Sequence, residues 1–157
     1  MKKVIETPID PEEVAELRVG DAFYITGTLF TARDAAHEKL LELDDDEVPF
    51  DPSKYAMFHC GPAIHKENGE WKVVSAGPTT SIRMEIFEDD FMDRFGTKII
   101  IGKGGMADRT LEALERNGGV YCQYTGGAGA LMANAIEEVE DVYFLEELGI
   151  PEAFWMF

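Results

Sequence analysis

Four stretches of the chain each supply some mix of glycine, hydroxyl side chains and, in three cases, a cation. Residues 27–34 hold Thr28, Thr31 and Arg33, and His37 follows Arg33 by one helical turn. Residues 77–83 read Gly-Pro-Thr-Thr-Ser-Ile-Arg and carry Thr79, Thr80, Ser81 and Arg83. Residues 102–106 read Gly-Lys-Gly-Gly-Met, with Lys103 and Gly104, and residues 125–129 read Thr-Gly-Gly-Ala-Gly. Arginine offers paired N–H donors that match a carboxylate, lysine offers a point charge, and glycine lets a ligand approach the backbone. His37, with an ordinary pKa of ~6.5, has the range for acid–base work. The spacing points to a small anion, a carboxylate suiting the arginines best. It does not point to a nucleotide, because Gly102-x-Gly-Gly lacks both the G-x-x-x-x-G-K-[ST] and the G-x-G-x-x-G spacing. The plainer reading of the same residues is that Thr31, Thr79 and Ser81 cap helices and that Gly104-Gly105 is a tight turn.

The elements that must position these residues follow from periodicity. Strands are expected at 22–27, 55–60, 71–76, 98–101, 120–125 and 142–145. Helices are expected at 32–43, 84–95, 107–116 and 128–136, with Gly96 and Asn117-Gly118-Gly119 as stop signals. Strand-to-helix alternation argues for an α/β fold with some parallel pairing, and in such sheets ligands gather beyond the carboxyl ends of strands. Phe87, Phe91 and Phe95 read as a core stripe, and Glu88-Asp89-Asp90 as a solvated face. The acidic, proline-containing stretch 44–52 reads as a surface loop within a single domain.

The 157 residues carry 31 acidic and 14 basic side chains, a formal charge of −17. That charge repels phosphate backbones and anionic lipid, which argues against nucleic acid or membrane partners. No apolar stretch approaches the ~20 residues of a span. The two cysteines, Cys60 and Cys122, read as core residues and are too few to hold an iron–sulfur cluster. His59 and His65 flank Cys60-Gly61-Pro62 without a compact metal-ligand spacing, so no metal site is expected on the chain. A cytoplasmic location is the expectation from cysteine usage.

Gly20-Asp21, Thr26-Gly27-Thr28, Ala32-Arg33-Asp34 with His37, Gly77-Pro78-Thr79-Thr80-Ser81-Ile82-Arg83-Met84, Gly102-Lys103-Gly104-Gly105-Met106 and Gly149-Ile150-Pro151-Glu152 occur in this order. Together they closely resemble the β subunit, or C-terminal domain, of the iron–sulfur hydro-lyases, class I fumarate hydratase and L(+)-tartrate dehydratase. The resemblance implies a swivelling β/β/α domain and reversible addition of water to a four-carbon dicarboxylate. It also implies a 4Fe-4S cluster with one open iron, held by cysteines of a partner α subunit, and a homo-oligomer besides. It assigns Arg33, Arg83 and Lys103 to the substrate carboxylates, with Thr80 and Gly104 completing the binding set. Thr79 matches a hydroxyl considered as a base, and His37 a histidine regarded as an acid–base residue. The sequence offers Thr79 no activator, which tilts the choice of base toward His37. Chains of that family usually continue past the Pro-Glu-x-x-Trp element, whereas this one stops at Phe157. A truncated or a short archaeal-type form would lack the final strands and part of the α-subunit contact. Ile82 stands where many fumarases have a smaller residue, so fumarate and tartrate both stay open as substrates. A carboxylate-binding module without catalysis, or a scaffold whose junctions are only caps, shares these features.

Overall fold

The structure, a computed structural model, describes residues 2–157. Strand β1 (Lys3–Glu6) leads through helix α1 (Pro11–Ala15) to β2 (Phe23–Thr26), and β1 and β2 pair in parallel as a separate small sheet. Next come β3 (Leu29–Thr31), α2 (Asp34–Glu42), β4 (Ala56–Phe58), β5 (Ala63–Glu67) and β6 (Glu70–Ser75). A 3-10 turn (Ser81–Met84) runs into α3 (Glu85–Phe95), followed by β7 (Ile99–Gly102), α4 (Asp108–Asn117) and β8 (Val120–Gln123). The chain ends with α5 (Gly129–Ala135), β9 (Asp141–Tyr143), α6 (Leu145–Leu148) and β10 (Phe154–Met156).

The central sheet has six strands in the order β8-β7-β4-β3-β10-β9. Strands β3, β4, β7 and β8 are parallel, so their carboxyl ends share one edge, and β10 runs antiparallel to both β3 and β9. Alternate side chains of each strand enter different cores. Phe30, Met57, Ile100, Phe154 and Met156 join Ala36 and Leu40 of α2, Phe91 and Met92 of α3 and Ala113 of α4. Leu29, Ala56, Phe58, Ile99 and Trp155 join Ile5, Ile25, Ile64, Trp71 and Val73 on the other face, with Met132 of α5. Helices thus cover one face and the two small sheets the other, a layered α/β arrangement as the resemblance implies.

Local chemistry accounts for the element ends. Asp10 accepts the Glu12 N–H and Pro11 occupies the first turn of α1. Gly96 and Gly118 close α3 and α4 at φ 70° and 63°, left-handed values that disfavour other residues. Arg94 donates to the carbonyls of Leu40, Leu41 and Leu43, satisfying the open end of α2.

Two expectations need correction. The strand at 22–27 exists as β2 but belongs to the small sheet, and the strand that feeds α2 is β3, three residues long and wholly buried. The strand expected at 142–145 ends at Tyr143, because Phe144 turns the chain at φ 61° and α6 begins. β5 with the tight Asn68-Gly69 turn, and β1 and β10, are further elements outside the expected set.

Candidate active site

The edge formed by the carboxyl ends of β3, β4, β7 and β8 gathers the residues singled out from the sequence. Arg33 stands two residues past β3, His59 directly follows β4, and Lys103 directly follows β7. Thr80 bridges to Lys103 in a parallel contact, the Ser81 N–H donates to the Lys103 carbonyl at 3.2 Å, and the Thr79 N–H donates to the His59 carbonyl at 2.8 Å. The segment after β6 is therefore laid across the ends of β4 and β7.

The cations differ in how far they are already engaged. Arg83 donates from Nη2 to Asp34 Oδ1 at 3.1 Å and to Thr79 Oγ1 at 3.0 Å, leaving Nη1 and Nε of its fork. Arg33 lies across Gly61, where any β-carbon would stand 2.5 Å from its Nη1, so the glycine is what admits it. Arg33 Nε is 3.3 Å from Glu152 Oε1, an ion pair without a well-directed hydrogen bond. Lys103 makes no ion pair among the described residues. Thr79 and Lys103 are half-buried, and Thr80 and Gly104 are exposed on the same edge.

Two helix N-termini at this edge, those of α2 and α4, are filled by the chain's own carboxylates. Glu152 Oε2 accepts the Ala35 N–H of α2 at 3.0 Å. Glu85 accepts from the Ala107 and Thr110 N–H groups at 2.9 and 3.1 Å and from Thr110 Oγ1 at 2.6 Å, so it caps α4. Burial is the largest single influence and opposes charge on Glu85, but the Thr110 hydroxyl and the backbone N–H groups together outweigh it and hold the carboxyl below its ordinary range. Thr31 is no cap either: its hydroxyl donates to the Ala153 carbonyl and accepts the Trp155 N–H. At the fourth junction, the glycines serve close packing, since a β-carbon on Gly129 would stand 2.2 Å from Ser75 Oγ.

Beneath the edge lies a cluster that sequence reading missed. His37, His59, Ser81 and Glu88 are all fully buried. Glu88 Oε2 is 2.8 Å from His59 Nε2 and 3.2 Å from His37 Nε2, and His59 Nδ1 is 2.9 Å from Ser81 Oγ. Glu88 is thus not part of a solvated face: it sits on the apolar side of α3 with Met84, Phe91 and Met92. Burial opposes its charge, but the two imidazoles outweigh that and hold its carboxyl down to about 2. Burial likewise opposes charge on His37, yet Glu88 and the Arg33 carbonyl raise its pKa; for His59 burial prevails and lowers it. The donor atoms of His37, His59 and Glu88 lie within 4.8 Å of one another. The 2.8 Å separation of Glu88 and His59 suits a hydrogen bond and is shorter than the ~3.3 Å edge of a tetrahedral ion with ~2.0 Å bonds.

Residues 2–157 match the family model described as Fumarase C-terminus. The chain belongs to the fumarase C-terminal family. The L(+)-tartrate dehydratase subunit beta of Escherichia coli strain K12 is 43% identical over 156 residues, covering 99% of this chain and 77% of that protein. A provisionally named L(+)-tartrate dehydratase subunit beta of Methanocaldococcus jannaschii is 44% identical, over 92% of this chain and 75% of that protein. A provisionally named class I fumarate hydratase of Geobacillus stearothermophilus is 47% identical over 96% of this chain, which matches 29% of that longer protein.

This fumarase C-terminal domain is a poor host for an iron–sulfur cluster. Its two cysteines stand on separate segments, Cys60 after β4 and Cys122 in β8, and are too few to hold a cluster; burial pushes the Cys60 thiol up to about 12 and the Cys122 thiol up to about 11. Two surface depressions, one against Phe50 and Arg94 and one between Trp71 and Ile136, include none of the candidate residues. No helix among the described residues is long and apolar enough to cross a membrane.

Proposed function

We propose that the chain is the β-type subunit of an iron–sulfur hydro-lyase, carrying the carboxylate-binding wall for reversible hydration of a four-carbon dicarboxylate. The substrate is fumarate, giving malate, or L(+)-tartrate. The relatives' names support the two equally. The observation that carries the reading is the meeting of Arg33, Arg83 and Lys103 at one edge of a molecule with a charge of −17. A diacid needs a cation at each end to leave water, and carboxylate–guanidinium contacts supply it.

Thr79 is the residue assigned to proton transfer at the substrate carbon. Its hydroxyl accepts from the Arg83 guanidinium at 3.0 Å, a cation that stabilises the deprotonated oxygen and supplies the activator absent from the sequence reading. Removal of a C–H proton beside a carboxylate builds charge on that carboxylate, where Lys103 and the free N–H groups of Arg83 receive it. His37 is fully buried with both ring nitrogens engaged, so its part lies beneath the site and not at the substrate. The chain's two cysteines are too few for a 4Fe-4S cluster, which this reading assigns to the α partner.

The test is anaerobic co-purification with the α subunit and assay of fumarate and L(+)-tartrate. The complex is expected to turn over one of them, the isolated chain neither. Arg83→Ala is expected to lower kcat/KM by ~100-fold or more. A complex that binds dicarboxylates without turnover would favour a carboxylate-binding module, and unchanged kinetics in Arg83→Ala would remove the arginine from the site.

A further inference from the structure

We infer that Glu88 is the positioning residue of this site. With His37, His59 and Ser81 it makes one buried hydrogen-bonded chain that fixes the three junctions bearing Arg33, Thr79 and Lys103. The inference deepens the dicarboxylate reading and rests on it for the meaning of the three residues, but the chain of contacts stands by itself. His37 Nδ1 is 2.7 Å from the Arg33 carbonyl. The His59 carbonyl holds the Thr79 N–H at 2.8 Å, and Ser81 Oγ holds the Lys103 N–H at 3.2 Å. Each junction is therefore tied by its backbone to a different member of the chain, and Glu88 joins the members at the centre. Gly102 lies directly beneath, where a β-carbon would stand 1.8 Å from Ser81 Oγ and 3.1 Å from His59 Nδ1.

Geometry and burial together place the protons. The Arg33 carbonyl only accepts, so His37 Nδ1 carries a proton. His37 Nε2 faces the Glu88 carboxylate, whose charge is held by the two imidazoles against burial, so His37 is assigned as an imidazolium. Ser81 Oγ accepts from Lys103 and has its own proton to give His59 Nδ1, and burial lowers the His59 pKa, so His59 is assigned as neutral with its proton on Nε2, donating to Glu88. One positive and one negative charge cancel in a fully buried space, and every polar atom of the chain has a partner. An apolar core of the same shape would fold as well. What the polar chain adds is fixed backbone spacing between loops whose residues must meet one ligand.

Ring-nitrogen NMR of the full chain at pH 6, inside the window where the His37–Glu88 pair is fully charged, with exposed His65 as the internal reference, tests the proton count. One buried imidazolium and one buried neutral Nε2–H imidazole are expected. Two neutral rings would overturn the inference. Ser81→Ala removes the link to Lys103 without touching the charge pair, and Glu88→Gln removes the charge. Both are expected to shift the Lys103 and Thr79 amide resonances while leaving those of the β5-β6 hairpin in place. Amides that do not move, in a folded Ser81→Ala chain, would overturn the positioning role whatever the activity. In the complex with the α subunit, Ser81→Ala is expected to lower kcat by about 10- to 100-fold with a smaller change in KM. Wild-type turnover matched by Ser81→Ala would also overturn it. A wild-type complex that turns over neither substrate, with the spectra as expected, counts against the substrate reading and leaves the backbone positioning supported.

Discussion

At the scale of single residues, the buried carboxylate sets how the molecule responds to acid. The folded pKa of His37 is raised above 6.5, so its share of stability is complete below 6.5 and is lost as pH rises through the raised value. That of Glu88 falls from 4.5 to about 2, so its share is complete above 4.5 and is lost as pH falls toward 2. His59, lowered by burial, contributes above 6.5 and loses that contribution as pH falls through its folded value. The pair is therefore fully expressed between pH 4.5 and 6.5. Glu88→Gln is expected to cost about 3–5 kcal/mol in that window and progressively less toward pH 2. Thermal unfolding of both proteins across pH checks this, and a pH-independent difference would refute it. Arg33, Arg83 and Lys103 could be singled out in the sequence because they sit at glycine- and hydroxyl-rich junctions, and the fold brings those junctions to one sheet edge. Glu88 was hidden by its neighbours Asp89 and Asp90. The signal that finds it is its spacing from Met84, Phe91 and Met92, which places a carboxylate on the apolar side of α3. Beside the larger effects of burial and Glu88, Asp34 exerts a small upward pull on the pKa of both histidines and also pairs with Arg83, a coupling of floor and edge that no one-dimensional pattern displays.

At the scale of elements, long periodic segments were readable and short ones were not. Helices α2 and α3 fall within the expected ranges, and α4 runs one residue past its own, because their apolar spacing runs over two or more turns and glycine ends two of them. β3 and β10 have three residues each, too few for alternation to register, although they form the middle of the sheet. The hairpin β5-β6 did have a signal, the Asn68-Gly69 pair at φ 52° and 83°, which matches the tight turn that a two-residue hairpin requires. β10 shows how much a short strand can carry. Trp155 is fully buried and meets Trp71 edge-to-face at 5.0 Å between ring centroids, joining the central sheet to the hairpin above it. Trp155→Ala is expected to lower stability by about 3–5 kcal/mol, as a lower urea midpoint, while Trp71→Ala, at a half-buried position, costs less. Equal midpoints for wild type and Trp155→Ala would mean that β10 does not anchor the sheet.

At the scale of the whole molecule, the proposed function makes the parallel carboxyl ends one wall of a site. Arg33, Arg83 and Lys103 bring positive charge to that wall in a molecule whose formal charge is −17, which lessens its repulsion of a diacid. Asp34 and Glu152 hold Arg83 and Arg33 in place, at the cost of some of their attraction for a ligand. An enclosed site then needs a second surface, which the proposed α subunit supplies. The most direct measurement is the structure of that complex with a bound four-carbon dicarboxylate. The account predicts carboxylate oxygens within ~3 Å of the Arg83 guanidinium and the Lys103 ammonium, with the carbon chain facing Thr79. A ligand that sits in the complex touching neither cation would contradict it.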